Sequence, residues 1–114
     1  MLAGLELGGI PLAVMIGQVL NLPVAFVRKT PKEYGACKFA EGPDLRNRSI
    51  LLVEDVVTSG GAILDAASAL RAEGVSVEEA TCVIEREGPG RDALSKAGLR
   101  LTSLFRQEEI SALS

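Results

Sequence analysis

The sequence has no histidine and no tryptophan, and only one Tyr and three Phe among its 114 residues. Without histidine, imidazole acid–base chemistry and His-ligated zinc are excluded. Its two cysteines, Cys37 and Cys82, have no metal-site spacing and form no Cys-x-x-Cys, so they read as free thiols of a reducing compartment. No apolar run reaches membrane-spanning length and the first residues carry no secretion-signal pattern, so a cytoplasmic protein without membrane contact is expected. A formal net charge of only −3 gives no long-range attraction to nucleic acid. What remains is largely aliphatic. Apolar residues make up 47% of the chain, enough for one domain with a single core. An aliphatic core with few aromatics suits a parallel sheet covered by helices.

Strand and helix patterns alternate along the chain. The tail of a first strand lies at 1–3, and a glycine-rich loop covers 4–9. Pro11 then opens a helix with Leu12, Ala13, Ile16, Val19 and Leu20 at helical spacing. A second strand covers 24–27. Residues 28–48 form a long polar stretch, with a small hairpin around 36–40; such a stretch is a functional flap or a disordered segment. The third strand is placed at 49–53, with Glu54 and Asp55 at its end. A helix follows with Ile63, Leu64, Ala66, Ala67 and Leu70 on one face, stopping at Gly74. Strands at 77–84 and 99–104 flank a short helix at 91–97, and 107–113 makes a last helical turn. This alternation predicts one α/β domain over 1–114, an open parallel five-stranded sheet flanked by helices in the order 2-1-3-4-5. The first and third strands then meet where the winding reverses, the usual ligand position in open α/β sheets. Loops 4–9 and 54–61 should therefore face each other.

Several residues carry candidate chemistry. Thr58-Ser59-Gly60-Gly61 before a helix offers hydroxyls and unobstructed amides to a phosphate; its plainer reading is a capped strand-to-helix turn. Two adjacent carboxylates, Glu54 and Asp55, are costly beside a buried strand unless used. They suit sugar hydroxyls, or a Mg²⁺ held mainly by substrate oxygens and water; a solvated strand end is the alternative. A receiver-domain phosphoacceptor is rejected, because the first strand ends in glycines and Leu104-Phe105, not lysine, follows the fifth. Glu6-Leu7-Gly8-Gly9 before Pro11 suits a second anion, and Glu6 could bond a loop residue or reach Mg²⁺ through water. Arg28, Lys29, Lys32 and Lys38 concentrate positive charge on the long loop, which could close over a polyanion or simply be a solvated surface. Arg86, between Glu85 and Glu87, could pair with a carboxylate or base edge, or lie in an exposed charged patch.

Taken together, the segment 52–61, Leu-Val-Glu-Asp-Val-Val-Thr-Ser-Gly-Gly, resembles the signature of type I phosphoribosyltransferases, which bind 5-phosphoribosyl 1-pyrophosphate. Within that family, Arg28-Lys29-x-x-Lys32-x-Tyr34-Gly35 resembles the mobile catalytic loop of the orotate phosphoribosyltransferases. Glu85-Arg86-Glu87-Gly88 resembles their orotate-contacting segment, where Asp is commoner than Glu85. The 4–11 loop resembles their pyrophosphate loop. The resemblance implies transfer of a phosphoribosyl group to orotate in pyrimidine biosynthesis, with Mg²⁺, in a homodimer. It implies that Glu54 and Asp55 hold the ribose hydroxyls, and that Val56, Val57, Thr58, Ser59, Gly60, Gly61 and Ala62 form the 5-phosphate segment. Glu6, Leu7, Gly8 and Gly9 would hold pyrophosphate. Lys32, Lys29 and Arg28 would be catalytic, stabilising the leaving group; Lys29 and Tyr34 would also touch substrate, and Arg86 would read orotate. No direct protein ligand for the metal is implied beyond Asp55 or Glu54. Tyr34 stands where many members carry His. Members of the family also carry a hood segment before the first strand, which is missing here, and this implies an N-terminally truncated core. The readings kept beside this one are a non-catalytic module that binds phosphoribosyl pyrophosphate, and an enzyme for another base.

Overall fold

A computed structural model of the chain describes residues 1–35 and 37–113. Four apolar residues, Leu2–Leu5, form the buried strand β1. Helix α1 (Gly9–Leu20), β2 (Val24–Val27) and the two-residue β3 (Ala40–Glu41) follow. Then come β4 (Leu51–Val57), α2 (Gly61–Ala72) and β5 (Glu79–Glu85). Helix α3 (Gly90–Lys96), β6 (Arg100–Arg106) and α4 (Gln107–Ser111) complete the chain. Among the described residues no helix is long and apolar enough to cross a membrane.

The sheet runs β3-β2-β1-β4-β5-β6. Its five parallel strands lie in the order expected, β2-β1-β4-β5-β6. The expected five-stranded, purely parallel sheet is corrected by β3, which adds a sixth strand antiparallel to β2 with Phe26 opposite Glu41 and Val27 opposite Ala40. Two residues are too short to leave a periodic signal. Strand alternation explains the two layers. Leu2 and Val53 face α1 through Ala13, while Ala3, Leu5, Leu52, Ala80 and Leu101 join Ile63, Ala66, Ala67, Leu70 and Leu94 on the other side.

The boundaries near the ligand edge also differ from expectation. Strand β4 does not stop before Glu54 but runs on to Val57, because β5 keeps pairing with it through Val56↔Ile84 and Val57↔Glu85. On its other side β1 is paired only as far as Gly4↔Val53. The acidic pair thus sits within the strand, on a stretch bonded along one edge only. Strand β1 likewise includes Gly4 and Leu5, which were expected in the loop. The expected hairpin falls partly on residue 36, outside the described residues. Around it, the Lys32 N–H donates to the Lys38 carbonyl (2.8 Å) and the Arg28 N–H to the Phe39 carbonyl (2.6 Å), folding the stretch back onto β3.

Candidate active site

Turn 58–60 leads from β4 into α2. Gly60, at φ 81°, is the residue before the helix and lends no side-chain cap. The capped-turn reading holds in part, since the Ser59 Oγ accepts the N–H of Gly61, the first residue of α2 (3.2 Å). The first-turn amides of any helix lack intrahelical acceptors. No acidic residue occupies the first turn of α2. A cavity of ≈ 210 Å³ lies there, lined by Glu54 and by residues 56–63. The sequence placed an oxyanion here, and both the space and the donor-bearing helix end are present.

The two adjacent side chains leave β4 on opposite faces, as alternation requires, but the Glu54 carboxyl bends back to Asp55, whose side chain it also meets. Glu54 lines the phosphate-sized cavity and is 8% exposed. Burial pushes its carboxyl up to about 7, although the Asp55 N–H, donating to its Oε1 at 3.0 Å, pulls the other way. Asp55 instead lies against the first loop. A Cβ on Gly8 would overlap the Asp55 carboxylate, and one on Gly9 would overlap the Val53 carbonyl. The two glycines allow loop 6–9 to rest on β4, so the predicted meeting of the two loops is realised through atoms in contact. The Glu6–Leu7 peptide is cis. Glu6 turns to the third partner of the site: its Oε1 accepts the Lys29 backbone N–H (2.9 Å).

The basic residues are distributed unevenly. Lys29 and Arg28 line a second cavity of ≈ 480 Å³, together with Glu6, Phe39 and the start of α2 at Gly61 and Ala62. Lys32 is drawn away: its Nζ donates to the Ala40 carbonyl at 2.7 Å and lies 3.4 Å from Glu41 Oε2. Arg28 Nη1 bonds Glu41 Oε1 at 3.1 Å. Lys38 offers its backbone N–H to the Glu73 carboxylate at 2.8 Å. Tyr34 is 80% exposed. Arg86 is tied to the site through its backbone, since its N–H donates to the Val57 carbonyl at 2.8 Å. Its side chain turns to Gln107 Oε1 (3.3 Å), in a separate hollow between 85–87 and 106–108.

The sequence reading missed Glu41 and Arg91. Glu41 stood alone in a polar stretch, with no spacing to announce a partner. Arg91 binds Glu85 through Nε (3.0 Å) and Nη2 (2.7 Å), and Ser103 Oγ donates to the same carboxylate (2.9 Å). Glu85 is therefore a tie between β5, α3 and β6, and the guanidinium holds its carboxyl below the usual range.

Among the described residues no three acidic or thiol groups cluster to hold a metal by themselves. One or two carboxylates near an anion site do suit Mg²⁺, which retains water and phosphate oxygens.

Residues 1–102 match the phosphoribosyl transferase domain model. An orotate phosphoribosyltransferase of Nocardioides sp. is 46% identical over 112 residues, covering 98% of this chain and 63% of that protein. The orotate phosphoribosyltransferase of Methanopyrus kandleri is 40% identical, over 98% of this chain and 61% of its own length. Among solved structures, Mycobacterium tuberculosis orotate phosphoribosyltransferase in complex with 5-phospho-alpha-D-ribosyl 1-diphosphate superposes with TM-score 0.82. It is 27% identical, over 96% of this chain and 63% of that one. The chain thus spans a little over 60% of the length of these relatives.

Proposed function

This chain belongs to the phosphoribosyltransferase family, and we propose that it transfers the 5-phosphoribosyl group of phosphoribosyl pyrophosphate to orotate, in the cytoplasm and as a homodimer. One observation carries the reading: two glycine-bearing loops meet at the carboxyl edge of β1 and β4, one against Asp55 and the other sharing a cavity with Glu54. The 5-phosphate sits at turn 58–62 and the start of α2. The ribose crosses β4, where its hydroxyls donate hydrogen bonds to Glu54 and Asp55. The pyrophosphate lies along residues 6–9, near Lys29. Arg86 contacts the base. Asp55 or Glu54 would help to hold Mg²⁺, which when bound would neutralise charge on the pyrophosphate.

The orotate nitrogen attacks the anomeric carbon as the bond to pyrophosphate breaks, through an oxocarbenium-like transition state. No protein nucleophile is required. The protein contributes orientation, and Lys32, Arg28 and Lys29 stabilise the charge growing on the leaving group. Lys32→Ala is expected to lower kcat by about 10²–10³-fold with a smaller change in KM, as for loss of one transition-state donor. A change confined to KM refutes that role. The homodimer reading draws support from α1, whose 12 residues include no charge and leave Val14, Met15, Val19 and Leu20 exposed.

A non-catalytic binding module is the second reading. It is favoured by the engagement of Arg28 and Lys32 with Glu41 rather than with the loop at 6–9. Pyrophosphate release, assayed with Mg²⁺ over a panel of bases, separates the possibilities. Orotate-dependent release supports the first, and tight binding without turnover supports the second. Preference for another base overturns the assignment of orotate.

A further inference from the structure

Two of the three cations assigned to the leaving group already have an anion. Glu41 presents one carboxylate oxygen to each: Oε1 to Arg28 Nη1 (3.1 Å) and Oε2 to Lys32 Nζ (3.4 Å). Each also has a backbone acceptor. Arg28 Nε donates to the Thr30 carbonyl at 3.1 Å, and Lys32 Nζ to the Ala40 carbonyl at 2.7 Å. The backbone fixes the arrangement, because the pairing of Phe26 with Glu41 brings the β3 carboxylate beside the root of the basic loop. Lys29 is treated differently: its backbone is held by Glu6, it borders with Arg28 the ≈ 480 Å³ cavity beside the start of α2, and among the described residues its side chain enters no ion pair.

We propose that Glu41 is a positioning residue that stands in for pyrophosphate: its carboxylate parks Arg28 and Lys32 at the sheet edge, and incoming substrate must displace it to recruit them. The inference rests on the phosphoribosyltransferase reading of those cations. The chemistry matches, since a carboxylate and a phosphate oxyanion compete for the same guanidinium and ammonium donors. The strength matches as well. The three side chains are 37%, 26% and 47% exposed, and pairs this open to water are weak and readily exchanged. A polyanion carrying several negative charges outcompetes a single carboxylate, whereas a buried pair would keep the loop closed to it. Binding would then proceed in sequence, with Lys29 meeting the ligand first and the parked pair following.

The test is calorimetric binding of inorganic pyrophosphate, with Mg²⁺ present, to the full chain. Glu41→Gln removes the competing charge and is expected to tighten binding about 2–5-fold, the range that exposed ion pairs allow. Glu41→Asp keeps the charge and should stay near wild type. In the Arg28→Ala/Lys32→Ala background, Glu41→Gln should change nothing, because no parked cation remains to be released. A merely structural role predicts the reverse, a looser loop and weaker binding. Wild-type binding that Glu41→Gln leaves unchanged or weakens overturns the latch alone. Equal tightening in the doubly substituted background also overturns it, as a generic charge effect. A wild type that binds neither pyrophosphate nor phosphoribosyl pyrophosphate overturns the reading of the site and the latch with it.

Discussion

Glu54 is held in a state that its unfolded counterpart would not share. Its folded carboxyl titrates near 7 because burial penalises the anion. An unfolded glutamate releases its proton near 4.3. Between those values the folded chain binds the extra proton, so stability falls as pH rises across the window, by up to about 3 kcal/mol once the group is ionised. Glu41 and Glu85, shifted downward by their cationic partners, act below the window and leave it undisturbed. Denaturant unfolding at pH 5 and pH 8 should show a loss in the wild type that Glu54→Gln largely removes; equal losses in both proteins would refute the assignment. The neighbouring glycines separate function from folding. Gly8→Ala meets only the end of a flexible carboxylate. It should weaken phosphoribosyl pyrophosphate binding about tenfold, roughly 1.4 kcal/mol, with little change in Tm. Gly9→Ala meets the Val53 backbone, which cannot step aside, and should cost about 1–3 kcal/mol of stability as an overpacked contact does. Little of this was legible beforehand. The acidic pair and the glycines were visible as residue types, but the burial of Glu54 and the seating of Asp55 against Gly8 depend on β4 continuing to Val57.

At the scale of elements, sequence periodicity was a good guide wherever a segment buries a whole face. The alternation of apolar strands with Ile63, Ala66, Ala67 and Leu70 at helical spacing located α2 and its neighbours, because burial itself imposes that pattern. It was a poor guide where an element exists only through its partner. Strand β3 consists of Ala40 and Glu41 and is created by the edge of β2. The end of β4 is set by β5, not by its own residues. The same holds for the tie of β5, α3 and β6 through Glu85, Arg91 and Ser103. Arg91→Ala leaves a carboxylate whose side chain is only 13% exposed without its cation, and should destabilise the protein by about 1.5–3 kcal/mol. Glu85 has a lowered folded pKa. The stability it contributes is therefore present above the ordinary carboxylate value and lost as pH falls through the folded one. The Arg91→Ala penalty should shrink accordingly on acidification, and urea unfolding at pH 7 and pH 3 checks this. A penalty independent of pH would remove the charge from the explanation.

For the whole molecule, strand order followed from connectivity, since right-handed crossovers in a parallel sheet leave few arrangements open. The reach of the basic loop did not, because which carboxylate a flexible cation meets is decided by distant chain. The topology has one more implication. The sheet is assembled from two βαβ halves, β1-α1-β2 and β4-α2-β5, joined where β1 meets β4. That seam is short: its ladder ends at Gly4↔Val53, whereas the ladder between β4 and β5 continues to Val57↔Glu85. Beyond Gly4 no further rung joins the two strands; loop 6–9 rests on Asp55 and Val53, where the ligand would lie, and Leu5 and Val27 share the core with Ile63 and Ala66. A bound sugar polyphosphate would act as a rivet across the join, so amide exchange should slow most for β1 and the open edge of β4, far more than for β5 or β6.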